Sequence, residues 1–374
     1  MKQLKEKTSI LFIMHMPPPV HGAAMMGKYI HDSKIINNTF ECHYVNPSAS
    51  SNIEDVGKLS LGKVLFLLKN TFRIIKAVIK NKPDLCYYTP TSGGWGIYRD
   101  MIVIILLKVF GKNVVLHFHN KGVKEYNRIH PVSTIVYRLM LSNVKVIQLS
   151  EILYQDIQKF ISKDNVFVCA NGIPESLESE PLVSHNNSIP KLLFLSNLIS
   201  EKGVYVLLDA CEILVKKEYH FSCDFVGGES SDMDAELFNS EVMRRGLSDI
   251  VVYRGRKYGK DKDTFFRNAD IFVFPTYYSG ECFPLVLLEA MENKLPVIST
   301  NEGGIPDIVK NGENGLISIK KDPYSLAECI EKLLRDKDLR LRMGENGFQQ
   351  FKKYYTLSIF EKNICSILKQ CINH

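Results

Sequence analysis

One pattern constrains this chain more than any other: short apolar runs alternate, over almost its whole length, with longer amphipathic stretches. That alternation is the mark of parallel strands joined by crossover helices. It occurs as two series. In the first, strands are predicted near 9–14, 41–45, 84–88, 113–118, 145–149 and 165–169, with helices near 22–36, 62–81, 96–110, 132–141 and 151–161. In the second, strands are predicted at 191–195, 221–226, 250–253, 271–274, 296–299 and 315–318, and helices at 203–217, 233–246, 261–268, 284–293, 306–310 and 323–336. A stretch rich in Ser, Glu, Asn and Pro over 175–190 separates the series and reads as a linker. The expectation is an α/β protein of two Rossmann-like, doubly wound domains facing a central cleft. They span 1–174 and 191–353, and a last amphipathic helix in 354–374 is free to cross back to the first.

Length agrees, since 374 residues suit two domains with a large core. Nine cysteines without CxxC spacing read as reduced thiols of a cytoplasmic protein, not as a disulfide framework or a zinc site. The apolar run at 10–14 is too short for a signal peptide. The longest, at 101–107, ends at Lys108 and falls far below the ~20 residues of a membrane span. Charge is uneven: residues 1–180 hold 22 Lys+Arg against 14 Asp+Glu, a net +8, whereas 181–374 hold 25 against 27, a net −2. The first half is the one suited to an anionic partner, a phosphate-bearing acceptor or a membrane surface.

The segment most informative about chemistry is 275–291, PTYYSGECFPLVLLEAM. It leaves a buried strand, passes a small polar turn and enters a helix whose expected first residue is Pro284, a position that suits proline. The unpaired N–H groups of that first turn, with the positive end of the helix dipole, suit phosphate oxygens. Glu281 stands just outside the helix and Glu289 just inside. Two ionised acceptors so placed suit hydroxyls on either side of a diphosphate.

The Glu-x7-Glu spacing of Glu281 and Glu289, after NADIFVFPT at 268–276, resembles the retaining glycosyltransferases of family 4, which have the two-domain GT-B fold. Further segments are similar to that family: LSNLISEKG at 195–203, TNEGGIPDIV at 300–309, NGENGLI at 311–317, PPVHGAA at 18–24 and FHN at 118–120. The resemblance implies a catalytic set of His119, Lys202 and Glu281. Lys202 would meet the donor diphosphate, and His119 the transferred sugar; His117, two residues earlier on the same side, is open as a substitute. It implies a donor set of Gly22, Asn197, Arg254, Cys282, Phe283, Pro284, Leu285 and Glu289. Asn197 departs from the family's usual arginine, so Lys202 carries more of the phosphate charge or another base joins it, Arg254, Arg256 or Lys257. His21 replaces a second glycine before Gly22, either as a contact of this subgroup or as a tolerated turn residue.

On the helix after Leu61, Lys69, Arg73, Lys76 and Lys80 form one stripe, with Leu68, Ile75, Val78 and Ile79 expected on the core side. The stripe is either a solvated face or a contact with anionic lipid. The loop TPTSGGWGIYRD at 89–100 brings Trp95 and Arg99 to the acceptor side, or simply packs Trp95.

The expected reaction is transfer of a hexosyl group, with retention, from a nucleoside-diphosphate sugar to a glycan acceptor that is lipid-linked and belongs to surface-polysaccharide assembly. UDP-sugar is preferred over GDP-sugar. No metal or resident cofactor is expected, because no Asp-x-Asp stands at a strand end; Asp232 and Asp234 lie elsewhere. The alternatives are a nucleotide-sugar epimerase and a catalytically silent nucleotide-sugar-binding protein. The location expected is cytoplasmic, with peripheral contact at the inner membrane face, and no nucleic acid partner is expected.

Overall fold

The computed structural model describes residues 7–18, 20–47, 61–176 and 189–373, with side chains from 67 onward in the helix that begins at Leu61 and up to 372 in the last helix. Most of the 175–190 linker stretch lies outside the described residues. The chain divides into two compact units, one of Met1–Asn171 with Leu357–His374, the other of Gly172–Thr356.

The first unit runs β1 (Ser9–Ile13), α1 (Gly22–Asp32), α2 (Lys34–Thr39), β2 (Glu41–Val45), α3 (Leu61–Asn81), β3 (Leu85–Tyr88), α4 (Gly96–Val109), β4 (Asn113–His117), α5 (Val123–Ile129), α6 (Ser133–Leu141), β5 (Lys145–Gln148), α7 (Tyr154–Ile157) and β6 (Val166–Val168). Its six strands are parallel in the order β2-β1-β3-β4-β5-β6. The chain steps one way from β1 to β2, then crosses back through α3 to β3, so the order reverses between β1 and β3. Alternate strand residues feed two layers: Leu11, Ile13, Cys86, Tyr88, Leu116 and Val146 share one core cluster with Ile74 and Val78 of α3, Val103 and Leu107 of α4, and Val136 and Met140 of α6.

The second unit runs β7 (Lys191–Leu195), α8 (Val204–Lys216), β8 (Ser222–Val226), α9 (Ala235–Arg244), β9 (Val251–Tyr253), α10 (Gly259–Asn268), β10 (Ile271–Phe274), α11 (Leu285–Glu292), β11 (Val297–Thr300), α12 (Ile305–Ile308), β12 (Gly315–Ser318), α13 (Pro323–Arg335) and α14 (Lys337–Tyr354). All pairings are again parallel, in the order β12-β11-β10-β7-β8-β9, with the reversal between β7 and β10. The last helix, α15 (Leu357–Asn373), belongs to the first unit and lies against α2 and β4. Ile173 and Thr356, the two places where the chain changes unit, bridge side by side, with Ile173 N–H donating to the Tyr355 carbonyl at 3.0 Å.

Several boundaries differ from the sequence reading. The helix expected over 22–36 is broken at Ser33, whose hydroxyl caps α2 by accepting from Ile36 N–H. The stretch 151–161 keeps only the short α7. Two helices, α5 and α14, were not expected at all. On α3 the core side is Ile74 and Val78; Leu68 and Ile79, assigned to the core by sequence, are about three-fifths exposed at 60% and 59%. Asn70 shares the buried side with Ile74 and Val78 and donates to the Pro47 carbonyl at 3.1 Å.

Candidate active site

In an open parallel sheet the loops beyond the strands' C-terminal ends diverge where strand order reverses, and ligands lodge there. In the second unit that place lies between β7 and β10. The loop after β7 carries Lys202 and the loop after β10 carries Glu281. The two are joined by backbone: Tyr277 N–H donates to the Glu201 carbonyl at 2.8 Å. Gly203, with φ +92°, closes the first loop, and a Cβ there would stand 2.4 Å from the Pro275 carbonyl oxygen. Only glycine lets the loops approach this closely. The approach delivers Lys202 Nζ to 2.6 Å from Glu281 Oε2, both side chains largely buried, and sets the ammonium 4.5 Å from the Tyr278 ring centroid.

The helix that follows starts one residue later than expected. Pro284 is the N-cap, with the extended angles φ −69° and ψ 122°, and Leu285 is the first helical residue. A cap residue has not yet turned into the helix, and a proline offers no side-chain acceptor. The first turn of α11 therefore has neither a side-chain cap nor an acidic residue; Leu287 N–H turns back to the Pro284 carbonyl at 3.2 Å, and the amides of Leu285 and Val286 lead the helix. Cys282 and Phe283 are buried beneath this turn. The double glycine of 303–304 is held against the same backbone. Gly304 N–H donates to the Cys282 carbonyl at 2.7 Å, and a Cβ on Gly303, at φ +54°, would meet the Glu281 carbonyl at 2.2 Å.

Glu289 projects from the second turn of α11. Its Oε1 accepts from Lys262 Nζ at 2.6 Å, while its buried Oε2 has no hydrogen-bond partner. Burial pushes its carboxyl above the usual carboxylate range, against the opposing pull of Lys262. One turn on, burial pushes Glu292 up to about 7, where it accepts from Ser176 N–H. A buried acceptor atom left unpaired in a native fold calls for an explanation, and a ligand hydroxyl is one.

Two expected donor residues are engaged differently. Arg254 is turned to Asp224, with Nε 2.7 Å from Oδ1, and its side chain is 43% exposed. Asn197 is exposed and accepts from Gly228 N–H at 3.2 Å, so it ties the β7 loop to the β8 loop. The Arg256 guanidinium lies over Gly228, where a Cβ would fall 2.1 Å from its terminal nitrogen. Of the three bases offered by the sequence, Arg256 is thus the one set against the β8 loop that Asn197 holds.

In the first unit the reversal between β1 and β3 gathers histidines. His117 is fully buried and His119 half-buried, with ring centroids 4.1 Å apart. The Tyr87 hydroxyl lies 2.5 Å from His117 Nδ1, whereas His117 Nε2 and His119 Nδ1 have no partner. Burial, reinforced by His15 and His21, pushes His119 down to about 3, and burial beside Arg99 pushes His15 down to about 4. His21 is the N-cap of α1, its Nδ1 accepting from Ala24 N–H at 3.3 Å. That is why a histidine tolerates the place where a second glycine was expected. Gly22 opens α1, and a Cβ added there meets nothing within 4 Å. Arg99 is clamped by the fully buried Asp100, which also accepts from the Tyr88 hydroxyl and from Thr91 N–H, each at 2.7 Å. Trp95 precedes α4, is 65% exposed, and lies 5.6 Å from the Tyr98 ring. Lys69, Arg73, Lys76 and Lys80 are exposed along α3.

Sequence reasoning missed Lys262, Asp100, His15 and Asp224. Asp100 lies within the segment 89–100 already singled out, and His15 falls between the strand at 9–14 and the segment at 18–24. Lys262 carries no local signal, because its partner is 27 positions away.

Residues 175–350 match the family described as Glycosyl transferases group 1. The second unit is a group 1 glycosyltransferase domain. Over 314 residues the chain is 26% identical to the capsular polysaccharide biosynthesis glycosyltransferase CapM of Staphylococcus aureus, covering 80% of each. It is 33% identical over 156 residues to a D-inositol 3-phosphate glycosyltransferase of Corynebacterium jeikeium, which is 41% of this chain and 37% of that one. In fold it is similar to sucrose-phosphate synthase of Thermosynechococcus elongatus, with TM-score 0.78 and 19% identity over 97% of this chain and 99% of the other. It is also similar to Anabaena HepE solved with UDP, with TM-score 0.74 and 16% identity over 97% and 100%. The chain is a GT-B glycosyltransferase resembling those of polysaccharide synthesis.

Proposed function

We propose that this glycosyltransferase is a retaining hexosyltransferase of family 4. It moves a hexosyl group from a UDP-sugar to a glycan hydroxyl, on a lipid-linked intermediate of surface-polysaccharide assembly. The observation that carries the reading is the buried, unpaired Glu289 Oε2 beside the uncapped start of α11, one loop from the Lys202–Glu281 pair. The donor diphosphate rests on the leading amides of α11. Lys202, held in place by Glu281 and Tyr278, supplies the positive charge, and Glu289 accepts a donor hydroxyl. His119 is the first unit's candidate contact with the transferred sugar, and Trp95 and Arg99 are its candidates for the acceptor.

As the glycosidic bond breaks, negative charge grows on the departing diphosphate. Preorganised donors at that point lower the barrier because they need no reorientation. Departure and attack then occur on one face of the sugar, which retains configuration without a protein nucleophile. No metal is needed in this scheme, since the lysine and the helix amides carry the leaving group's charge. The UDP preference is supported by HepE, solved with UDP, and the polysaccharide role by CapM. The lipid-linked acceptor implies work at the cytoplasmic face of a membrane.

Thermal-shift titration with UDP-, GDP- and ADP-sugars tests the donor site. UDP-sugars are expected to raise Tm, and Glu289→Ala and Lys202→Ala each to abolish the rise. Unchanged binding in both variants removes the site. Incubation with UDP-sugar alone separates an epimerase, which would convert the sugar without an acceptor.

A further inference from the structure

Lys262 is the fourth residue of α10, a helix that begins Gly-Lys-Asp-Lys-Asp. A cation so near a helix start meets the positive end of the helix dipole, so local chemistry argues against it. Its partner lies elsewhere in the chain: Nζ donates to Glu289 Oε1 at 2.6 Å, with both side chains largely buried. α10 follows β9 and α11 follows β10, so both helices begin at the C-terminal edge of the sheet, beside the loops of Lys202 and Glu281. The pair joins the start of one crossover helix to the second turn of the next.

The other groups around Glu289 work against its charge. Asp263, beside Lys262 on α10, and Glu292, one turn further along α11, are both acidic. α14 meets α11 through glycines, Gly347 against Met291 and Gly344 against the Lys294 carbonyl, and β11 brings no titratable side chain. Against burial and the two carboxyls stands Lys262. A pair that served stability alone would leave neither oxygen unpaired, because a buried acceptor without a partner costs about what a hydrogen bond returns. Here Oε1 is anchored and Oε2 has no partner. The anchor stops the carboxylate from rotating and holds Oε2 at one fixed point.

We infer that Lys262 is a positioning residue for donor binding: it fixes Glu289 through Oε1 and keeps it ionised, so that Oε2 meets a donor hydroxyl as a charged acceptor. A charged acceptor holds a hydroxyl about twice as strongly as a neutral one. Lys262 itself touches no donor atom. The inference rests on the reading of Glu289 as a donor contact, and adds the group that makes the contact strong. Without Lys262, burial acts on Glu289 unopposed, and its carboxyl rises further above the usual range. Donor affinity then falls on the acid side, where the carboxyl is protonated, and returns as pH rises through the raised value.

Isothermal titration of the full chain with UDP-glucose, GDP-glucose and ADP-glucose, from about pH 6 to about pH 8.5, tests the inference. The wild type is expected to bind UDP-glucose with little change across that range. Lys262→Met should weaken binding about tenfold at the acid end and recover most of the loss at the alkaline end. Lys262→Gln, which keeps a donor for Oε1 without the charge, should show the same pH-dependent loss if the methionine variant does not fold. Lys262→Arg should restore the flat profile. In a Glu289→Gln background, replacing Lys262 should change nothing further, because its effect passes through the carboxylate. Circular dichroism and Tm check that each variant keeps its fold. Wild-type affinity and pH profile in Lys262→Met and Lys262→Gln overturn the inference and leave the donor site standing. So does a loss that persists undiminished in the Glu289→Gln background, which would make Lys262 a direct contact or a scaffold. No wild-type binding of any of the three nucleotide sugars brings down the donor-site reading itself, and this inference with it.

Discussion

The two units place their chemistry at the same topological position and furnish it in opposite ways. In the second unit the loops beyond β7 and β10, with the helix that follows, hold charged groups, each compensated by a partner from another loop or helix: Lys202 by Glu281 and Glu289 by Lys262. In the first unit the reversal between β1 and β3 holds imidazoles kept neutral by burial, next to the clamped Arg99–Asp100 pair. Paired charges stay available in a dry pocket only while both partners are present, whereas neutral imidazoles offer hydrogen bonds without charge. The comparison teaches that one architecture supplies charge for a phosphate at one end and uncharged donors and acceptors at the other.

The largest effect expected is on the clamp. Asp100→Ala leaves Arg99, the Tyr88 hydroxyl and Thr91 N–H without their shared acceptor, and should destabilise the first unit by about 3 kcal/mol or more. Urea unfolding followed through Trp95, the single tryptophan, reads that unit directly. A loss below about 1 kcal/mol would mean that the network is solvated and the contrast between units is false.

Lys202→Ala should slow transfer by about 10²–10³-fold, because it removes the charge opposite the leaving group, and should also lower Tm, because the buried Glu281 loses its partner. A steady-state assay on labelled donor measures it. Lys202→Arg restoring most of the rate would place the requirement on charge rather than on ammonium geometry.

The pH response should differ in sign between units. The depressed histidines, His15 at about 4 and His119 at about 3 against a usual 6.5, contribute stability that is complete above 6.5 and lost as pH falls toward those values. Glu292, raised to about 7 from 4.5, contributes stability that is complete below 4.5 and lost as pH rises through 7. Melting curves of His119→Gln should lose part of the acid sensitivity, and those of Glu292→Gln part of the loss between pH 5 and 7.5. Curves that keep the wild-type slope in both variants would assign the titration to other groups.

The smallest effect is at glycine. Gly22→Ala should leave stability unchanged or raise it by up to about 1 kcal/mol, since the added Cβ meets nothing and alanine favours helix. If Gly22 backs a donor, the same variant weakens donor binding in the thermal-shift assay, and equal shifts would drop Gly22 from the site. Gly203→Ala is the counterexample, because its Cβ would enter the Pro275 carbonyl.

Much of the fold was legible because each strand carries its own apolar run and each major helix its own period. The parts that were not legible depend on distant chain. α14 is polar and contains Gly344 and Gly347, so its local signal is weak. Gly344 is there because a Cβ would stand 1.9 Å from the Lys294 carbonyl, which lets α14 lie close on the end of α11. α5 is short, and its leading amides, Gly122, Val123 and Lys124, are capped by the carboxylate of Asp156, more than thirty residues later. The rotation of α3 that exposed Leu68 and Ile79 was equally hidden, since a basic stripe and an apolar stripe can share one outer face.

The candidate site divides in the same way. The segments holding Lys202, Glu281, Pro284 and Glu289 were marked in the sequence by the glycines and proline that their backbone needs.

By itself, then, the sequence determined two parallel α/β units, a turn leading into an apolar helix, and the family of the second unit, because hydrophobic period and turn chemistry act between near neighbours. The tertiary structure alone decided which charges are paired, that Lys202 meets Glu281 and Lys262 meets Glu289, and which side of α3 faces water. The two pairs join groups 27 and 79 positions apart in the chain, whose distances are set only when the strands take their order in the sheet.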